Sequence, residues 1–207
     1  MPHASCFGFV LWPDIWPASH CTRNSCPQLT PVRLVDVLRC CGPTLQRGPG
    51  RHLALEAQQA LVHHPIPADL AVRALAVLGG HPFRSCGCLD RSCAERLCAS
   101  IADGAPSLGP CAVRAALVGM GNTDVRSLAT LSNLSARVRE LTQAGELEPQ
   151  QAAILVGALA THGIDPGASA LAIAARVADE RPPAGAEAQD HADWLRAVTE
   201  VRGEGLC

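Results

Sequence analysis

Short apolar segments with a helical repeat, each stopped by glycine or proline, run through most of the chain. In these segments Leu, Val, Ile and Ala recur every three or four residues, which is the spacing of one face of an α-helix. Pairs such as Gly42-Pro43 and Gly79-Gly80 end the segments after a few turns. The pattern predicts an all-α fold, in which short amphipathic helices pack as an irregular helical-repeat array or as a compact helical bundle.

The composition favours helices over strands. The chain has 207 residues, of which 48% are hydrophobic but only 3% aromatic. A core built mostly from Leu, Val, Ile, Ala and Cys suits close helix packing, whereas sheets favour more β-branched and aromatic side chains. The net charge is −2 and charged residues make up 17%. Bulk electrostatics therefore gives no reason to expect a nucleic acid or an anionic membrane as partner.

The segments divide the chain into four parts. Residues 1–28 are irregular, because four prolines interrupt any period, and they hold four of the six aromatic residues and three of the cysteines. Residues 29–181 form a helical domain with a Cys-rich insertion at 81–98. Residues 182–189 form a Pro- and Ala-containing linker, and residues 190–207 are predicted to form a C-terminal helix.

Within the helical domain, apolar spacing and capping residues set the predicted boundaries. Residues 43–51 are predicted to form a loop. In the Cys-rich stretch the second half is predicted to be helical, with Ser92 and Glu95 as a capping box. The other predicted helices cover residues 30–41, 52–64, 68–78, 111–120, 124–131, 135–144, 148–162 and 165–180.

Three segments of the domain align with one another. They are ALVHHPIPADLAVRALAVL from Ala60, ALVGMGNTDVRSLATL from Ala116 and ALATHGIDPGASALAIAARV from Ala158, at intervals of 56 and 42 residues. Each contains the end of one helix, a short turn with Pro or Gly, and a second amphipathic helix. Because such a unit cannot bury its apolar face alone, stacked units share one continuous core.

These segments, above all LVHHPIPADLAVRALA, resemble the short α-helical repeats of bacterial leucine-rich-variant and HEAT-like proteins. The resemblance covers roughly residues 52–180. It implies a solenoid of stacked helix pairs, interrupted by the Cys-rich insertion between the first two units.

The stretch from His81 to Cys98, HPFRSCGCLDRSCAERLC, concentrates the chemically active side chains of a chain with 11 cysteines. The N-terminal residues have no recognisable secretion signal, so we expect a reducing cytoplasm, where clustered cysteines bind metal, do redox chemistry or are buried. Thiolate and imidazole are the ligands that zinc prefers. The predicted structural zinc ligands are His81, Cys86, Cys88 and Cys93.

Two alternatives to zinc stay open in this stretch. Reactive thiols form one alternative, and buried cysteines without a chemical role form the other. Cys98 lies on an apolar stripe with Leu97 and Ile101, so we interpret it as a core thiol.

The segment DVRSLATLSNLSARVRELTQAGEL, residues 124–147, resembles the helix-turn-helix of bacterial regulators, with a turn at Ser132-Asn133. In such proteins the second helix enters the major groove of DNA. The resemblance would make Arg137 and Arg139 the residues that contact bases. Nearby acidic residues match the arginines in number, so no basic footprint emerges and nucleic acid is not the favoured partner.

Catalytic motifs are missing from the sequence: it has no nucleotide-binding glycine loop, serine elbow or His-Glu-x-x-His pattern. The leading hypothesis is a cytoplasmic, non-enzymatic helical-repeat module that binds another protein and carries a structural zinc. One alternative is a DNA-binding regulator that uses residues 124–147. The other is a metal- or thiol-dependent enzyme or redox sensor centred on Cys86–Cys93. No membrane partner is expected.

Overall fold

The computed structural model describes residues 29–46 and 48–164 and confirms the all-α prediction for them. This part of the chain contains eight α-helices and no strand. None of the described helices is long and apolar enough to cross a lipid bilayer. The helices are α1 Pro31–Cys41, α2 Gly48–Val62, α3 Ala68–Leu78, α4 His81–Cys86, α5 Arg91–Gly104, α6 Pro110–Thr123, α7 Leu128–Gln143 and α8 Pro149–Ala160.

Several predicted features lie outside the described residues. They are the irregular segment 1–28, the helix predicted at 165–180, the linker 182–189 and the helix predicted at 190–207.

Several predicted boundaries are wrong. The helix predicted at 111–120 extends to Thr123, and the helix predicted to begin at residue 124 begins at Leu128. The loop predicted over residues 43–51 is shorter, because α2 already begins at Gly48, where the first turn of a helix tolerates the following Pro49. The turn predicted at Ser132-Asn133 lies inside α7. Leu131 and Leu134 are buried on either side of it, so the apolar stripe is continuous. The Asn133 amide donates a hydrogen bond to the Ala102 carbonyl of α5 (3.0 Å) and does not break its own helix.

The helices stack in two rows. In the first row α1, α3, α6 and α8 follow one another, and in the second row α2, α5 and α7 lie behind them. Across the rows α1 packs on α2, α3 on α5, and α6 on α7. In residues 29–46 and 48–164, the first pair has no substantial contact with α7 or α8. Of the two arrangements that the sequence left open, the contacts therefore follow the helical array.

The central helix is α3, which contacts α1, α4, α5 and α6. Small residues let its neighbours approach closely. A Cβ added at Gly104 of α5 would lie 2.4 Å from the Cβ of Ala68, and one added at Gly119 of α6 would lie 3.1 Å from Leu75. Seven of the eleven α3 residues are buried: Ala68, Leu70, Ala71, Val72, Ala74, Leu75 and Leu78.

The aligned sequence segments do not occupy equivalent positions in this array. The segment from Ala60 joins α2 to α3, and so leads from one helix pair to the next. The segment from Ala116 joins α6 to α7, within one pair. The segment from Ala158 leaves α8 and continues beyond residue 164. The sequence alignment is therefore not the structural repeat, and membership of a repeat family stays a prediction.

Helix ends follow the glycine signals in the sequence. Gly145 and Gly163 both have a left-handed backbone, with φ of 70° and 69°. After α7, the Gly145 N–H donates to the Thr142 carbonyl (3.2 Å) and the Glu146 N–H donates to the Leu141 carbonyl (3.0 Å). This bond pair is the Schellman motif, which satisfies carbonyls that the helix leaves open. The helices predicted to end at residues 144 and 162 thus end close to these positions, α7 at Gln143 and α8 at Ala160.

Candidate functional site

Residues 79–90 connect α3 to α5 and are called the cysteine connection here. The sequence predicted a helix only in the second half of the Cys-rich stretch, but His81–Cys86 in its first half also forms a short helix, α4. Phe83 of α4 is only 1% exposed and anchors the connection in the core. Gly87, with φ of 60°, ends α4 in the left-handed conformation that glycine adopts without strain. The connection is thus packed into the array and does not protrude from it.

A buried glutamine of α2 holds the second half of the cysteine connection. The Gln58 side chain is 0% exposed. Its amide nitrogen donates to the carbonyls of Cys88 (2.8 Å) and Ala54 (3.2 Å), and its amide oxygen accepts from the Asp90 N–H (2.8 Å). A buried amide of this kind is stable only when its polar atoms are paired, as they are here. Gln58 therefore fixes the backbone of the connection.

Asp90, whose N–H is held by Gln58, caps the N-terminus of α5. Its carboxylate accepts hydrogen bonds from the Ser92 N–H (3.0 Å) and the Ser92 hydroxyl (2.7 Å), so Asp90 is the N-cap. The predicted capping box of Ser92 and Glu95 is wrong, because Glu95 instead pairs with Arg91 (2.9 Å). Sequence reasoning did not single out Gln58. Its only signal is an amide on the apolar face of α2.

The structure places the four predicted zinc ligands in different surroundings. His81 is exposed at the start of α4, and Cys93 is buried in the first turn of α5. Cys86 is half-buried, and its thiol donates to the Pro82 carbonyl. The thiol of Cys88 is buried and donates to the Cys86 carbonyl (3.7 Å).

Only Cys86 and Cys88 are thus seen next to each other. In the described part of the chain, no three His, Cys, Asp or Glu side chains form a group that could hold a metal ion. Zinc at this stretch stays a prediction.

Burial keeps the deeper thiols protonated. It raises the pKa of Cys93 to about 12, and the negative charge of Asp90 adds to the effect. Burial likewise raises the pKa of Cys98 to about 11, helped by Glu95. The interpretation of Cys98 as a core thiol is confirmed, since it is 0% exposed. Because the thiolate is the reactive form, both groups are poor nucleophiles at neutral pH.

The arginines assigned to DNA reading are bound to the protein itself. The Arg137 Nε donates to the Leu108 carbonyl (2.9 Å), and its Nη1 pairs with Glu140 (3.1 Å). Arg139 Nη2 donates to the Ser135 hydroxyl (3.2 Å). The predicted division of residues 124–147 into two helices is wrong, because α7 is continuous over Leu128–Gln143. DNA binding as a function is untested.

A cavity of about 350 Å³ lies between the C-terminal ends of α6 and α8. Its rim carries Asn122, Asp124 and Arg126, and the imidazole of His162 forms a hydrogen bond with the Leu117 carbonyl (2.9 Å). Arg84 of α4 donates to the Asn122 side chain (3.3 Å), so the cysteine connection reaches this rim. The sequence contains no motif that marks the cavity.

Comparisons with known protein families, with curated proteins and with solved structures gave no match. The functional argument therefore rests on the residues of this chain and their contacts.

Replacing Gln58 by Leu is expected to destabilise the fold and loosen the cysteine connection. The change leaves the Cys88 carbonyl and the Asp90 N–H buried without a partner, at a cost of roughly 2–4 kcal/mol. Urea denaturation measures the loss. The exposed neighbour Gln59 is the matched control, and Gln59→Leu should stay within about 0.5 kcal/mol of the parent. Equal stability of the two variants would show that the Gln58 bonds are unimportant.

Stability should fall at alkaline pH through the buried thiols. The folded state raises the pKa of Cys93 and Cys98 above the ordinary value of 9.0. Below pH 9 both thiols are protonated in the folded and the unfolded chain, so the free energy of unfolding has its full value. Above pH 9 the unfolded chain loses these protons first, so the free energy of unfolding falls by about 1.4 kcal/mol per pH unit for each thiol. The fall continues to about pH 11 for Cys98 and about pH 12 for Cys93. The chain has no Lys and no Tyr, so cysteines are the main side chains that titrate in this range, and single variants are needed to separate Cys93 and Cys98 from the other nine.

The measurement is urea denaturation from pH 8 to pH 11 under reducing, anaerobic conditions. Cys93→Ala and Cys98→Ala should each make the fall with pH shallower. An identical slope in the parent and in both variants contradicts the assignment.

Proposed function

We propose that the chain is a non-enzymatic module that binds another protein through the outer face of its first helix row. The observation that carries the proposal is the α3–α6 face, formed by Ala76 and Val77 of α3 and Ala115 and Val118 of α6. These small apolar side chains are exposed or half-buried on two helices that lie side by side. Asp69 and Arg73 are the exposed charged residues of α3.

The chemistry of this face fits a protein better than a phosphate backbone. The core of a protein interface is poor in charge and tolerates small apolar side chains, whereas nucleic acids require a basic surface. In the second row, α5 exposes the four charged residues Arg91, Glu95, Arg96 and Asp103. The α3–α6 face therefore carries less charge than the surface of α5, and it is the better candidate for a protein partner.

The architecture supports the same function. In an array, each helix pair contacts mainly its neighbours, so the outer faces of successive pairs form one extended surface. The sequence resemblance to leucine-rich-variant and HEAT-like proteins agrees with this use. A reducing compartment such as the cytoplasm is part of the proposal, because Cys86, Cys88 and Cys93 of the Cys-rich stretch are thiols and not disulfides.

Two exposed alanines make a matched test, Ala76 on the α3–α6 face and Ala99 on α5 in the second row. A tagged chain is used to capture proteins from a nuclease-treated lysate of its natural source, and captured proteins are quantified by mass spectrometry. Ala76→Glu places a charge in the proposed interface and should reduce the captured partner at least roughly tenfold, corresponding to about 1.4 kcal/mol. Ala99→Glu should capture as much as the parent.

The proposal fails if no protein is enriched over the tag alone. It also fails if both variants lose the partner equally, or if Ala76→Glu retains it in full. Circular dichroism of both variants establishes that the helices are intact.

A further inference from the structure

The backbone of the cysteine connection brings two thiols together across one glycine. Cys86 is the last residue of α4, and Gly87 has φ of 60° and ψ of 35°. These angles are those of a left-handed helix, and helical geometry of either hand at Gly87 places the Cα atoms of Cys86 and Cys88 about 5.4 Å apart. Disulfides span Cα distances of roughly 4.4–6.8 Å. The Cys88 thiol lies against the Cys86 backbone carbonyl (3.7 Å), while the Cys86 thiol donates to the Pro82 carbonyl. Rotation of the Cys86 side chain away from Pro82 brings the two sulfurs together.

The two thiols differ in access to solvent. Cys86 is half-buried, and a small molecule can reach it from the surface. Cys88 is 0% exposed and is shielded from external reagents. One thiol can therefore meet a disulfide from solution, while the other can react only with its neighbour. This difference separates an attacking cysteine from a resolving cysteine.

Gln58 holds the resolving cysteine in place. Its amide bonds to the Cys88 carbonyl and the Asp90 N–H fix the backbone on both sides of Leu89. Because the order of this segment is already provided by the folded state, little conformational entropy is lost when the two sulfurs meet. The arrangement gives Cys88 a high effective concentration towards Cys86.

We propose that Cys86 and Cys88 form a redox-active dithiol that exchanges with low-molecular-weight disulfides such as oxidised glutathione. The site is distinct from the α3–α6 face and does not depend on the protein-binding proposal. No metal is required.

The exchange has two balanced steps. The Cys86 thiolate attacks one sulfur of oxidised glutathione, which forms a mixed disulfide and releases one glutathione thiolate. The Cys88 thiol then loses its proton and attacks the Cys86 sulfur, which releases the second glutathione thiolate and forms the Cys86–Cys88 disulfide. Two electrons pass from the cysteine pair to glutathione, and the two thiol protons go to the two released thiolates or to solvent.

Electrostatics agrees with this order of steps. Burial raises the pKa of Cys88, Cys86 adds to the rise, and Arg51 partly opposes it. The deciding factor is burial itself: Cys88 is 0% exposed, so an external disulfide cannot reach its sulfur. Cys88 acts only once the mixed disulfide on Cys86 presents a sulfur beside it.

Other cysteines in the chain provide internal controls. Cys40 and Cys41 are also close in sequence, but adjacent Cα atoms are only about 3.8 Å apart, below the usual disulfide range. Their thiols also differ in direction, since Cys40 is exposed and Cys41 is buried in the core. Cys93 is buried in α5 and is out of reach of external reagents.

Trypsin cleavage places Cys86 and Cys88 together on one short peptide that can be analysed by mass spectrometry. Cleavage after Arg84 and Arg91 gives peptide 85–91, SCGCLDR, whose only cysteines are Cys86 and Cys88, and cleavage after Arg39 and Arg47 gives peptide 40–47 with Cys40 and Cys41. The full-length protein is incubated with a series of oxidised-to-reduced glutathione ratios, then quenched with iodoacetamide in urea, so that buried thiols are alkylated too, and digested. Peptide 85–91 should become lighter by two hydrogen atoms and resist alkylation. Its disulfide fraction should exceed that of peptide 40–47 by roughly tenfold.

Two variants test the order of attack. In Cys88→Ser, peptide 85–91 should retain a glutathione adduct on Cys86, because the resolving thiol is missing. In Cys86→Ser, Cys88 should be alkylated in full by the quench in urea and should carry no glutathione, because the folded chain shields it. If Cys88→Ser unfolds, as judged by circular dichroism, Cys88→Ala provides the same test.

The proposal is overturned if peptide 85–91 stays fully alkylated at ratios that glutathionylate Cys40. It is equally overturned if the parent protein accumulates a stable glutathione adduct on Cys86 without the internal disulfide.

Discussion

Close approach between α3 and its neighbours is the constraint on which the rest of the structure depends. With few aromatic side chains, the core obtains its buried area from many small and medium residues, and these pack well only when helix axes come near one another. Glycine at 104 and at 119 removes the side chain where α5 and α6 meet Ala68 and Leu75. The two rows of the array are thus joined around α3.

The cysteine connection depends on the same packing. Since α5 is held against both α3 and α2, Gln58 of α2 can reach the backbone that precedes α5. That contact converts a stretch rich in Gly and Cys into an ordered segment with one accessible thiol and one buried thiol. Protein binding and thiol chemistry would accordingly use different parts of the array, the outer face of the first row and the connection between the rows.

Local signals in the sequence predicted much of the fold. The bounds of α3 agree with the prediction because Pro67 and Gly79 flank a clear apolar stripe. The prediction was wrong at Ser132-Asn133, where a dipeptide typical of turns is held in a helix by buried leucines on both sides and by the bond from Asn133 to α5. Contacts between distant residues could not be predicted: Gln58 meets Cys88 and Asp90 across 30 and 32 positions. The candidate zinc group was proposed from proximity in sequence, which does not determine where side chains point.

The central claim, that close helix approach around α3 holds the two rows together, is tested most directly by the unfolding free energy of Gly104→Ala. Alanine favours a helix over glycine by up to about 1 kcal/mol, so the substitution would stabilise an unconstrained helix. In this array the new methyl group would lie 2.4 Å from the Cβ of Ala68. We predict that Gly104→Ala lowers the free energy of unfolding by roughly 1–3 kcal/mol. Gly48→Ala, where no atom lies within 4 Å, should leave it unchanged or raise it. Equal or greater stability of Gly104→Ala compared with Gly48→Ala would contradict the account.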